Sequence, residues 1–412
     1  MSVPAAGVFR SLRGFNYRVW AIGALVSNIG TWIQRTAQDW LVLTQLTHHD
    51  ASAVGIVMSL QFGPQLLLLP WTGYAADRFD QRKLLMATQA LMGGLAFLLG
   101  LLTVTGVAQL WHVYLFAFLF GCASAFDAPV RQTFVAELVA DRELANAVAL
   151  NSTSFNAARM IGPAAAGFII ASVGTGWAFL LNGLSFVAVL ASLSMLRADE
   201  LRAHARADRT RGSLLDGFRY VWQRPDLKAI LLMLFLIGTF GLNFQLFIST
   251  MAASVFHVDA RGFGVLSSMM AVGTITGALL AARRDRPRFR HLWIGAALFG
   301  LGCTLAALAP GYWLFGAALV LTGVAAITFM NSTNSLVQLS TEPAMRGRVM
   351  ALRLAVALGG TPIGAPVAGW VANHLGPRWA LGVGAMSGFA AALVATHFMK
   401  RMRAQAATGE GV

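Results

Sequence analysis

Apolar segments of about 20 residues, the thickness of a bilayer core when helical, recur along this chain with short polar breaks between them. That rhythm constrains the fold more than any single motif. Charged residues make up 12% of the 412 and hydrophobic ones 57%, too little polar surface to wrap a soluble core of this size. The segments are expected to be helices, because a helix satisfies its own backbone hydrogen bonds in lipid, whereas barrel strands would be shorter and would alternate. The reading is an all-α polytopic membrane protein of twelve transmembrane helices. They lie at roughly 17–44, 53–74, 84–105, 108–130, 143–171, 177–196, 228–255, 263–283, 291–309, 312–338, 346–373 and 378–399. The N-terminal stretch leads into the first span without an A-x-A cleavage pattern, so it is not read as a signal peptide.

Lysine and arginine assign the sides. With the N-terminus inside, 27 of the 31 basic residues fall on inner loops and helix ends; Arg35, Arg159, Arg261 and Arg378 are the remainder. Outer loops such as GVAQLW, VGTGW and APGYW carry none. This is the positive-inside asymmetry, and it places both termini in the cytoplasm. The formal charge of +14 therefore follows membrane topology and does not indicate nucleic acid. The Arg-rich composition points to a bacterial inner membrane.

The organisation is two halves and a linker: 1–196, a basic cytoplasmic linker at 197–227, and 228–412. Residues 149–185 match 351–387 at an offset of 202, including Gly162/Gly364, Gly167/Gly369, Gly174/Gly376 and Trp177/Trp379. Two duplicated six-helix halves imply alternating access.

Several chemistries find no support. No Walker loop, G-x-S-x-G or H-E-x-x-H occurs, so neither ATP hydrolysis nor an enzyme is expected. The eight histidines lie in loops or near span ends, unlike haem ligands. Cys122 and Cys303 sit in apolar segments with no metal or redox spacing. No metal or cofactor is expected, and the proton gradient is the energy source. The expected partners are a small-molecule substrate, protons and the lipid bilayer, with the chain acting as a monomer.

Residues 73–83 read GYAADRFDQRK, a cluster of charge in an apolar chain. The stretch resembles the loop signature G-x-x-x-D-R-x-x-x-R-R/K of the major facilitator superfamily and falls between spans 2 and 3, as that family's loop does. The resemblance implies that fold: two pseudo-symmetric six-helix halves. It also implies a latch on the inner side formed by Asp77, with Gly73, Arg78 and Arg82 around it, opposite the start of span 11 near 345–348. The corresponding loop of the second half, RRDRPRFR at 283–290, has the basic residues without the Gly and Asp pattern.

Two more stretches resemble one branch of that family, the one holding macrolide and siderophore exporters: AFDAPVRQTFVAELV at 125–139 and ANAVALNSTSFNAARMIGPAAAGF at 145–168. Within the second, Gly162, Pro163 and Gly167 resemble the antiporter signature G-P-x-x-G-G, with Ala166 in place of one glycine. Generic small-residue packing is the alternative reading of the same residues. Span 4 lacks the mid-helix arginine of many drug–proton antiporters; Arg131 comes only at its predicted inner end.

Ionisable groups inside spans are costly and become candidates for function. Arg35 and Asp39 stand at i, i+4 and can pair; Asn28 and Thr31 share their stripe, which is read as facing the cavity. Asp39 is the first choice for the coupling proton, with Arg35 as its competing partner and Asp127 as the reserve. A structural Arg35–Asp39 pair is the alternative. Asp127 and Arg131 also stand at i, i+4, and the resemblance implies that Asp127 meets Arg78 or Arg82. Arg159 is read as facing the cavity, where it attracts anionic groups or pairs with Asp39. Asn243 and Gln245 in span 7, and Asn331 and Asn334 in span 10, are substrate-cavity candidates, helix–helix hydrogen bonding being the alternative. The expected function is proton-coupled efflux of a small amphipathic molecule. Nutrient uptake and a non-transporting receptor or assembly protein remain open.

Overall fold

The computed structural model describes residues 7–202, 214–282 and 288–407. Fifteen α-helices follow in order: α1 (Phe15–Leu41), α2 (Ala51–Leu67), α3 (Leu69–Arg78), α4 (Gln81–Val104), α5 (Leu110–Leu138), α6 (Asp141–Val173), α7 (Thr175–Ser194), α8 (Leu214–Gln223), α9 (Pro225–Leu236), α10 (Phe244–Thr250), α11 (Ala260–Ala282), α12 (Phe289–Leu308), α13 (Tyr312–Ser340), α14 (Arg346–His374) and α15 (Pro377–Ala407). Among the described residues, ten helical stretches are long and apolar enough to cross a bilayer, with α9 and α10 forming one of them. Helix α1 and the α2–α3 pair complete the twelve spans.

Three departures from the expected spans have local causes. Span 2 is interrupted at Leu68, whose backbone turns out of the helical region (φ −91°, ψ 2°) just before Pro70 at the start of α3. Proline lacks the N–H and crowds the preceding turn. Span 4 continues as α5 to Leu138, so Asp127 lies well inside the helix and not at its inner end. Span 7 is broken: α9 passes into a π-helical segment, Ile237–Gly241, before α10 restarts after Asn243. The Asn243 amide donates to the Thr239 carbonyl at 2.7 Å, the acceptor its own backbone N–H would use in an unbroken helix.

The chain forms two compact units. The first is Met1–His48 with Gly63–Asp208, and the second is His49–Phe62 with Arg209–Val412. In the first, α1 packs on α6 and α7, and α4 packs on α5 and α7. In the second, α14 packs on Ile237–Gly241, α15 on α9, and α12 on α13 and α15. Counting α9–α10 as span 7, the same pairs of spans meet in both units.

The repeat marks those crossings. A Cβ on Gly162 would stand 2.3 Å from Trp32 Cβ, so glycine is what lets α6 lie on α1. Its counterpart Gly364 is tighter: a Cβ there would be 1.6 Å from the Thr239 carbonyl oxygen. Gly174 (φ +91°) and Gly376 (φ +104°), also a repeat pair, make the turns after α6 and α14 in conformations open to glycine.

Residues 51–59 of the second unit pack on α14. A Cβ on Gly55 would meet the Ala365 carbonyl oxygen at 2.5 Å, and one on Gly369 the Ala51 carbonyl oxygen at 2.4 Å. The Ser59 hydroxyl donates to the Pro362 carbonyl at 2.7 Å. Residue 366 is proline and has no N–H for that carbonyl, so Ser59 supplies the missing donor.

The expected linker also contains structure. Within α8, Val221 is buried, while Phe218 and Trp222 are exposed and stacked at 5.4 Å. That exposed aromatic face beside Lys228, whose ammonium lies 5.4 Å from the Trp222 ring, is the pattern of a helix at a membrane interface.

Candidate transport site

A buried polar network of the first unit joins α1, α4 and α5. Asp127 on α5 is 3% exposed and accepts from Thr88 Oγ1 at 2.9 Å, Gln89 Nε2 at 2.7 Å and Arg131 Nε at 2.9 Å. Arg131 Nη2 adds a second bond to the same carboxylate, and Arg131 Nη1 donates to Asn28 Oδ1 on α1. Ser27 Oγ donates to Gln89 Oε1 at 3.2 Å and closes the chain. Both carboxylate oxygens of Asp127 are thus bonded.

The expected contact of Asp127 with Arg78 or Arg82 does not form. Arg82 donates instead to the carbonyls of Leu193 (2.9 Å) and Ser194 (3.1 Å), where it caps the negative C-terminal end of α7. Arg78 bonds the Tyr74 hydroxyl at 2.8 Å on its own helix. Gly73 lies half-buried in α3. Asp77 is in α3, but its side chain lies outside the described residues. Asp80, which sequence reading passed over, caps α4 by accepting from the Lys83 backbone N–H at 2.8 Å.

Asp39 behaves differently. It is 2% exposed on α1, and neither carboxylate oxygen has a hydrogen-bond donor. No hydrogen bond joins Arg35 to the Asp39 carboxylate. The Arg35 guanidinium lies 5.3 Å from the centre of the Trp32 ring, one turn toward the N-terminus. Long side chains on a helix lean that way, so an arginine four residues before an acid reaches away from it. In Asp127–Arg131 the order is reversed and the arginine reaches back onto its partner. Asn28, Arg35 and Asp39 are all buried and Thr31 is half-buried, so this stripe is enclosed by protein where an open cavity wall was expected.

Helices α6 and α13 carry polar residues on exposed faces. On α6, Ser152, Asn156 and Arg159 are exposed at i, i+4, i+7, while Ile161 and Phe168 are exposed on the opposite side. Arg159 Nη2 donates to Asn156 Oδ1 at 3.3 Å, not to Asp39. On α13, Asn331 is exposed and Asn334 half-buried along one face. Exposed amides at such positions are costly against hydrocarbon. The other span 7 candidates are less open. Asn243 is fully buried with Oδ1 unbonded, and Gln245 is half-buried. Of the antiporter-like residues, Gly162 forms the α1 crossing, Gly167 is buried and Pro163 is half-buried.

Sequence reading missed Thr88 and Gln89. Adjacent polar residues in the first turns of the otherwise apolar span 3 were the available signal, pointing to a buried acceptor nearby.

Comparison with known proteins agrees with this architecture. The chain is 29% identical over 255 residues to a staphyloferrin A transporter of Staphylococcus aureus, covering 61% of this chain and 63% of that protein. It is 22% identical over 372 residues to macrolide efflux protein A of Streptococcus pyogenes, covering 87% and 90%. An enterobactin exporter of Shigella flexneri is 25% identical over 343 residues, covering 82% and 80%. The fold matches a solved POT family transporter in complex with 5-aminolevulinic acid, with TM-score 0.75, 13% identity and coverage of 96% and 97%. The profile of the family described as transmembrane secretion effector matches residues 6–409, nearly the whole chain. The chain belongs to that family of major facilitator transporters, and its fold is theirs.

Proposed function

We propose that the protein exports a small amphipathic molecule in exchange for protons, by alternating access, as a monomer in a bacterial inner membrane with both termini cytoplasmic. Export is supported by the relatives described as an efflux protein and an exporter. Proton coupling rests on one observation: Asp39 is buried in a membrane span with two carboxylate oxygens and no donor to either. A proton can bind there without breaking a hydrogen bond. At Asp127 it would have to displace donors from Thr88, Gln89 or Arg131. Asp127 and Arg131 are therefore the scaffold in this reading, and Asp39 is the coupling site with Arg35 as its electrostatic neighbour.

The test is paired flux in proteoliposomes, normalised to folded protein. Asp39→Asn should lose accumulation driven by a pH gradient and keep downhill exchange. Normal driven accumulation by this variant would remove Asp39 as the coupling site. Uphill transport that survived collapse of both the pH gradient and the membrane potential would remove proton coupling altogether. Asp77, near the C-terminal end of α3, acts in this scheme as an inner latch, so Asp77→Asn should reduce both fluxes at unchanged membrane abundance.

A further inference from the structure

We propose that the transported molecule carries an anionic group and that Arg159 recognises it; this rests on the export reading above. Arg159 stands near the middle of α6, a 33-residue helix about 50 Å long. Mid-helix is where a guanidinium has least chance of reaching the interface by snorkelling. Its side chain is nevertheless exposed, and it forms no ion pair among the described residues. An accessible, unneutralised cation at that depth faces water and not lipid.

Its surroundings fit an anion with an aromatic or apolar body. Asn156 accepts one N–H of the guanidinium and donates its own amide to the Ser152 carbonyl at 2.8 Å, which fixes the asparagine and leaves the rest of the guanidinium fork free. A carboxylate or phenolate could take that fork in two parallel bonds. Pro163 removes the helical donor to the Arg159 carbonyl, so the polar spot includes backbone as well as side chain. Phe155, one turn before Arg159 on nearly the same face, is 45% exposed and its ring meets Trp32 edge-on at 6.2 Å. An exposed aromatic ring one turn from an unpaired arginine suits an amphipathic anion and disfavours an amphipathic cation.

The experiment uses two amphipathic dyes of opposite charge, carboxyfluorescein and rhodamine 6G, in proteoliposomes holding the full chain under an imposed pH gradient. Wild type should move carboxyfluorescein well above protein-free vesicles and rhodamine 6G little. Arg159→Gln should lower carboxyfluorescein flux about tenfold or more, the worth of a charge-assisted bond. Arg159→Lys should retain most of it, and Arg159→Glu should shift preference toward rhodamine 6G. Arg159→Lys and a gel-filtration check on each variant guard against a folding defect. If wild type moves both dyes alike, or rhodamine 6G alone, the inference falls while the transport reading stands. Unchanged carboxyfluorescein flux in Arg159→Gln also overturns it. If wild type moves neither dye, the export reading falls and this inference with it.

Discussion

Two aspartates, each four residues from an arginine, have opposite fates because the order of acid and base is opposite. Asp127 precedes Arg131 and is gripped by it; Asp39 follows Arg35 and is left without a donor. The difference follows from the N-terminal lean of helical side chains and was legible in the sequence, although spacing alone had made the pairs look equivalent. What was not legible is the help from α4: Thr88 and Gln89 reach Asp127 only because α4 packs on α5. Removing the acceptor should therefore be costly. Asp127→Ala strands Arg131, Gln89 and Thr88 together and should destabilise the folded protein by about 3 kcal/mol, as loss of one member of a buried pair does. Thr88→Val removes one donor and should cost about 1 kcal/mol. Thermal unfolding in detergent measures both; equal midpoints for Asp127→Ala and wild type would show that the network is not what holds α1, α4 and α5 together.

At the scale of elements, glycine and proline decide where helices cross and where they break. Gly364 faces a backbone oxygen that cannot move aside, so Gly364→Ala should abolish recovery of folded protein. Gly94→Ala on α4, where a Cβ would meet nothing within 4 Å, should leave yield unchanged. Fluorescence-detected size exclusion distinguishes the two, and a monodisperse Gly364→Ala peak at wild-type height would contradict the α14 crossing. Ser59→Ala should cost about 1 kcal/mol by leaving the Pro362 carbonyl without its donor. The existence of the spans was readable from hydropathy because length and apolarity suffice for that. Their interruptions were not. The break in span 7 depends on Asn243 competing for the Thr239 carbonyl and on the close approach of Gly360 and Gly364, contacts made far away in sequence. The stop of span 4 was misplaced for the opposite reason: Asp127 and Arg131 look like a helix end until their partners on neighbouring helices are known.

For the whole molecule, duplication left its clearest trace at the glycines where helices cross closely or turn. Gly162 and Gly364, or Gly174 and Gly376, are fixed by crossings and turns that accept no side chain, so both copies keep glycine. Spans packed through interchangeable apolar side chains show no comparable echo, yet the same pairs of spans meet in each unit. The proposed topology rests on the count of Lys and Arg on each side of the spans and not on any contact. It yields a test independent of transport. Val107, between α4 and α5, and Phe79, between α3 and α4, are each 55% exposed, and α4 alone separates them. In a background where Cys122 and Cys303 are replaced by alanine, a membrane-impermeant maleimide added to intact cells should label Val107→Cys and leave Phe79→Cys untouched until the membrane is permeabilised. The inner assignment of Phe79 rests on Arg78, Arg82 and Lys83 beside it, while the Val107 loop carries no basic residue. The opposite labelling would mean that three basic residues in one short loop fail to hold it inside, and the placement of both termini in the cytoplasm would fall with it.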